Sequence, residues 1–344
     1  MTDLDNSYIP KFNNRLKSIL PAKTNVAITI AKMLEISKEG AYRRLRGDTS
    51  FSLEELLILR RNLGISIDEL IDGTESVNFS FKPLYNKPLE LDEYFKDIAV
   101  RFRKLAYIEN SMTFNVCEDL PFFRQFGYKS LASFKLFYWK HSILLDSEYA
   151  LLKFDLDLIP EQTLELAMNV QKLYLNIPST EIWTQRTIQN TIKQIEYFYD
   201  CGLFKTQEAV KSVYMDLVSL LHDLVNEARL TVKMDNNSIQ KGTFNLHLCE
   251  LSLDNNSIYL ETDSPKYLAT GFNSFNSLQT MDKRLLKEYR HWLSAMISKS
   301  TNISGQAERI RHDFYKSNYD LIINSAKSRL SESAFSTLLK NLES

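Results

Sequence analysis

Within Ser37–Arg46 stand four cations, Lys38, Arg43, Arg44 and Arg46, with Glu39 as the opposing carboxylate and the ring of Tyr42 beside the guanidinium groups. Arginine presents a planar fork of N–H donors that matches phosphate oxygens or the O6/N7 edge of guanine. The chemistry on offer is recognition of nucleic acid, not bond making. Gly40 costs roughly 1 kcal/mol against alanine inside a helix, and a close backbone approach to DNA or to a preceding helix would account for it. Elsewhere the residues offer less. There is no phosphate-cradling glycine loop, nucleophile elbow or zinc-protease pair, and glycine is sparse at nine residues. His247 and Cys249 would share one face of a strand, but two ligands do not make a zinc site, and packing is the better reading. His141, His222, His291 and His312 are single residues on helices. No cofactor or metal is expected, and the chain is not expected to be an enzyme. An enzymatic reading would need a pocket holding several ionisable groups with strongly shifted pKa values.

The elements around the basic stretch position it. Ser37 can cap a helix that ends at Gly47, about two and a half turns in all. Upstream, Asn25 can cap a helix through Val26–Leu34, with Ile30, Met33 and Leu34 on one side. A break of only a few residues joins the two, the spacing of a helix-turn-helix. Ser52-Leu53-Glu54-Glu55 is a capping box opening a helix to Leu63, with Gly64 as its stop, and Ser66-Ile67-Asp68-Glu69 is a second box opening a last short helix. A first helix from about Pro10 to Leu20 completes the set. From Ile9 to Gly47 nine cations face two carboxylates, Glu35 and Glu39, a local excess of +7 in a chain whose formal net charge is -1. Any nucleic-acid contact must therefore come from this patch.

Residues from about Phe12 to Asp72 resemble the helix-turn-helix domain of the Cro/C1-type (XRE-like) repressors. The resemblance is carried by Ile36-Ser37, by Arg46-Gly47, by Ser52-Leu53-Glu54-Glu55-Leu56-Leu57 and by Asn62-Leu63-Gly64-Ile65-Ser66-Ile67-Asp68-Glu69-Leu70. It implies a five-helix unit that binds duplex DNA sequence-specifically, usually as a dimer, to regulate transcription. Glu35 stands where that family has a turn glycine, so a non-glycine residue must accept a positive φ. Ala27 replaces a phosphate-binding glutamine, Arg44 stands at an apolar position and Leu45 at an acidic one. The DNA-facing candidates are Ser37, Lys38, Glu39, Gly40, Tyr42, Arg43, Arg44 and Arg46, and the phosphate-contacting candidates are Lys11, Lys17 and Lys23. Arg43→Ala or Arg44→Ala is expected to weaken specific binding by about 1–3 kcal/mol if the side chain reads a base.

With 344 residues and 44% hydrophobic content the chain has room for two domains. Residues 1–73 read as the helix-turn-helix domain, 74–90 as a linker broken by two prolines, and 91–344 as a dimerisation or effector domain. The expected fold is mainly α. Helices are predicted over 91–106, 130–153, 161–175, 180–200, 206–230, from 282, over 305–329 and over 332–342, with a small antiparallel β-meander near 243–273. The 17 Tyr and 20 Phe either fill a helical core or line a pocket for a small-molecule or peptide effector. Cys117, Cys201 and Cys249 are odd in number and far apart, the first residues lack an apolar core, and no apolar run approaches the ~20 residues of a membrane span. A cytoplasmic location is the expectation. The partners expected are double-stranded DNA and a second copy of the chain, with no membrane. The competing reading is an antitoxin-like or phage-related module whose large region mainly binds another protein.

Overall fold

The computed structural model describes residues 8–20, 24–63, 77–82, 91–235, 240–253, 255–263, 266–272 and 276–343. They form two compact units, Met1–Phe79 with Met281–Leu285, and Ser80–Thr280 with Leu286–Ser344. Among the sequence expectations, Lys23, Gly64 as a helix stop, the second capping box with its short helix, and most of the 74–90 linker lie outside the described residues.

In the first unit, α1 (Tyr8–Ile19), α2 (Val26–Leu34), α3 (Lys38–Arg46) and α4 (Leu53–Leu63) surround a small core. Phe12, Leu16, Ile30, Leu34, Ala41 and Leu59 are all buried there. Their spacing is the helical period of each element, which turns one stripe per helix inward. The termini are closed by side chains. Asn25 Oδ1 accepts from Ile28 N at 3.2 Å, and Ser37 Oγ from Gly40 N at 3.0 Å. Ser52 and Glu55 cap one another reciprocally, at 3.2 Å and 3.0 Å.

The second unit overturns the expectation of a mainly α domain with a small antiparallel meander. It is built on an eight-stranded mixed sheet: β1 (Met112–Cys117), β2 (Ser179–Trp183), β3 (Val232–Met234), β4 (Gln240–Leu248), β5 (Ser257–Glu261), β6 (Tyr267–Phe272), β7 (Asn276–Thr280) and β8 (Thr301–Asn302). The order is β3-β4-β2-β1-β5-β6-β7, with β8 also on β4. β4, β2 and β1 run parallel, and every other pairing is antiparallel. The strand carrying Phe244 and Leu246 therefore belongs to the parallel centre, and the meander is β5–β7. The stretch 180–200, expected as one helix, is the strand β2 followed by a helix. Parallel strands need crossovers, and helices supply them. α6 (Phe122–Gln125), α7 (Lys129–Tyr138) and α8 (Glu161–Leu175) lie between β1 and β2, and α9 (Arg186–Asp200) and α10 (Gln207–Leu230) between β2 and β4, while α5 (Leu91–Ala106) precedes β1. α7 runs into a π-helical turn, Trp139–Ile143, so the expected helix over 130–153 stops short. α11 (Lys283–Lys299), α12 (Glu308–Arg329) and α13 (Glu332–Glu343) finish the chain. Tyr289 of α11 stacks on Tyr259 across one face of the sheet, while the other face meets a core that includes Phe95, Phe126, Phe134, Phe137 and Phe198. Gly242 is required where β4 passes the α8–β2 loop, because a Cβ there would lie 2.9 Å from the Ile177 carbonyl carbon.

Candidate nucleic-acid interface

Left-handed residues end both α2 and the basic helix α3. Glu35 takes φ 54 and ψ 38 at the end of α2, and Ile36 N donates back to Ala31 O at 3.0 Å, so a glutamate occupies the turn position at the expected positive φ. Gly47, at φ 87, closes α3, and Asp48 N donates to Arg43 O at 2.9 Å. Asn13 of α1 donates to Leu45 O at 2.6 Å, so α1 grips the C-terminal turn.

These restraints leave an outward face. Ser37, Lys38, Glu39, Tyr42, Arg43 and Arg46 are exposed, whereas Ala41 is fully buried and Leu45 half-buried. Arg43 has no ion-pair partner among the described residues, and Arg46 pairs with the exposed Asp48 at 3.0 Å. The Lys38 ammonium lies 6.0 Å from the Tyr42 ring centroid, and Tyr42 Oη accepts from Asn25 Nδ2 at 3.4 Å. Arg44 stands apart from this set. Its Nη2 and Nε meet the two oxygens of Glu55 at 2.7 and 2.8 Å, and its Nη1 donates to Gly40 O at 3.2 Å. Its side chain is 20% exposed and that of Glu55 14%, so the guanidinium ties α3 to α4. The apolar position expected there is filled by a paired cation. Hydrogen bonding to Arg44 holds the Glu55 carboxyl below its ordinary range. Gly40 faces neither α2 nor open space: a Cβ on it would lie 3.2 Å from Ser37 Oγ, so glycine keeps the capping hydroxyl close. Lys11 and Lys17 are exposed on α1.

The second unit holds a constellation that composition did not reveal. Glu181 of β2 is fully buried, and its oxygens accept from Arg124 Nε at 3.0 Å, from Trp183 Nε1 at 2.8 Å and from the Tyr174 hydroxyl. Arg124 Nη1 reaches Glu227 at 2.8 Å, and Glu227 accepts in turn from Met234 N at 3.1 Å. Lys233, also fully buried, donates to Ile177 O at 2.6 Å and Tyr174 O at 3.2 Å. Burial pushes the Glu181 carboxyl up, but Arg124 outweighs it and holds the group below its usual value. Burial, with Arg124 next, drives the Lys233 ammonium well down. Shifted ionisable groups thus cluster beside a cleft of about 510 Å³. Arg124 binds both carboxylates while Lys233 donates to the backbone carbonyls of Tyr174 and Ile177, so the cluster joins α6, α8, β2, α10 and β3.

A different part of this unit holds a smaller chamber of about 90 Å³, lined by Asn115, Lys135 and Gln194 among others. Lys135 was legible as the lone charge in Leu131-Ala132-Ser133-Phe134-Lys135-Leu136-Phe137; Glu181, between Thr180 and Ile182, carried no such mark. His247 is half-buried and its imidazole is pushed down by burial. No group of three or more metal-ligating side chains occurs among the described residues, and no helix among them is long and apolar enough to cross a membrane. Cys117 and Cys249 are buried free thiols and Cys201 an exposed one. Comparison with protein-family models, with curated proteins and with solved structures returns no match.

Proposed function

We propose that the chain is a sequence-specific DNA-binding regulator of transcription, acting as a dimer, in which α3 enters the major groove and the second unit dimerises or senses. The observation that carries the reading is the outward face of α3: Lys38, Arg43 and Arg46 are exposed around Tyr42 on a short helix capped at both ends. A rod of nine residues fits the groove, and an exposed guanidinium with no ion-pair partner among the described residues, such as that of Arg43, can take a bidentate partner. Arg46 can exchange Asp48 for phosphate, since an exposed pair is held by only ~0–1 kcal/mol. Lys11 and Lys17 supply sequence-independent phosphate contacts. Arg44 is assigned a supporting role, because reading a base would require breaking its bond to Glu55. The test is selection of fragments from a random duplex pool by the purified full chain at fixed salt. Enrichment of a two-fold motif with half-sites about 34 Å apart supports the reading. A pool that stays unenriched, with a tight protein complex recovered from the same preparation, would overturn it.

A further inference from the structure

The face of the sheet beneath α5 changes character along its length. Over β4 and β2 it carries Phe244, Leu246 and Trp183, which fill the space under the helices. Over the meander Ala269, Gly271 and Ser277 share this face with Ile258, Tyr267 and Gln279, so the floor is low only where the small residues stand. The result is a cavity of about 430 Å³. Its walls are aromatic, with Tyr94, Phe102, Phe122, Phe123 and Tyr267 around it, and its mouth is polar, with Lys82 bound to Asp97 at 2.8 Å and Arg101 to Gln279 at 3.0 Å. An apolar chamber of this size with a few placed polar groups is the usual form of a small-molecule site.

Phe122, Phe123 and Asn256–Ile258 also line the 90 Å³ chamber, so the two spaces adjoin at these residues. The small chamber is chemically unfinished. Lys135 is 6% exposed, and its ammonium donates to the neutral Gln194 Oε1 at 2.6 Å and lies 5.2 Å from the Tyr138 ring centroid. Among the described residues no carboxylate lies within ion-pair distance of it; Asp119, half-buried on the same wall, acts on it only from farther off. A buried cation is normally matched by an anion.

We propose that the two chambers form one binding site for an amphipathic organic acid, whose carboxylate pairs with Lys135 in the small chamber while its apolar body lies among the aromatic walls of the large one. Lys135 supplies the charge, Phe122 and Phe123 the lining common to both spaces, and the low floor at Ala269 and Gly271 the room. The site lies wholly in the second unit, so it stands or falls independently of whether α3 binds DNA.

Calorimetric titration of the full chain with decanoate, and with decanol as the uncharged counterpart, tests the proposal. Saturable decanoate binding at least tenfold tighter than decanol is expected. Lys135→Met should erase that preference while leaving decanol binding in place. Ala269→Phe, which raises the floor without touching Lys135, should abolish binding of both. Equal affinity for acid and alcohol, no saturable decanoate binding by the parent chain, or undiminished decanoate binding by either variant would overturn the assignment.

Discussion

Arg43 and Arg44 are adjacent in sequence but differ in burial and partners, and the proposed function gives them opposite roles that replacement of each by alanine would separate. Arg44 makes two charge-assisted hydrogen bonds to Glu55, at 2.7 and 2.8 Å, with both side chains largely covered. Hydrogen bonds to charged groups contribute about 1.5–3 kcal/mol when shielded, and exposed ion pairs about 0–1. At 20% and 14% side-chain exposure an intermediate loss of about 1–2 kcal/mol is expected for Arg44→Ala. Glu55 keeps its bond to Ser52 N, so α4 stays capped. In hydrogen exchange on the full chain, protection across α2–α4 should fall roughly 5- to 30-fold, the equivalent of that free energy. Arg43→Ala removes an exposed group without an ion-pair partner, and protection should change by less than about 0.5 kcal/mol. Its effect belongs to DNA: about 1–3 kcal/mol, or roughly 5- to 150-fold, at one base position of the selected motif. The pH dependence follows the same division. Because Arg44 lowers the folded-state pKa of Glu55, the stability from that pair is complete above the ordinary value of 4.5 and is lost as pH falls through the lower folded value. Arg44→Ala should flatten this acid limb. Unchanged protection in Arg44→Ala, together with relaxed recognition at one base, would refute the assignment of Arg44 as a strut. Parent-like DNA binding by Arg43→Ala would refute α3 as the reader.

Three further outcomes are expected. Burial pulls Lys135 from its ordinary 10.5 down to about 8, so at neutral pH the fold carries a buried ammonium at a cost of up to about 3 kcal/mol. Parental stability should therefore rise between about pH 8 and 10.5, where only the unfolded chain holds the proton, and denaturant titrations of Lys135→Met should lack that rise. Glu35→Gly should stabilise α2–α3 by about 1 kcal/mol, since φ 54 strains any side chain, and slower exchange in that segment is the readout. Glu181→Ala should destabilise the second unit by about 3–5 kcal/mol, because it leaves Arg124 with Glu227 alone and takes the buried acceptor from Trp183 Nε1 and the Tyr174 hydroxyl, measured as an earlier unfolding midpoint of that unit.

Local chemistry was legible and non-local chemistry was not. Asn25, Ser37, Ser52 and Gly47 act within four residues of themselves, and a cap reads the same in a sequence as in a structure. The partnership of Arg44 with Glu55 spans eleven residues and ties α3 to α4, a contact that no local window of sequence displays. β1 and β2 escaped because both are buried almost throughout, so the alternation that marks a half-exposed strand is missing. Ser179-Thr180-Glu181-Ile182-Trp183 even places a carboxylate where a buried strand is expected to be apolar. β5 and β6 were recognisable because turn chemistry separates them. The candidate ligand chambers draw on residues from Asn115 to Gln279, and no short window of sequence contains that juxtaposition.

The charge cluster at Glu181 has a consequence for how the sheet selects its alignment. Strands buried on both sides are poorly discriminated by hydrophobicity, since sliding by one residue exchanges one greasy surface for another. In β2 the slide would turn Glu181 toward Tyr259 and α11, away from Arg124, Trp183 and the Tyr174 hydroxyl, and abandon an ionised carboxylate in a dry layer. Electrostatics thus keys the central strand to a single offset, and the most awkward residue in the sheet is the one that makes its assembly unambiguous.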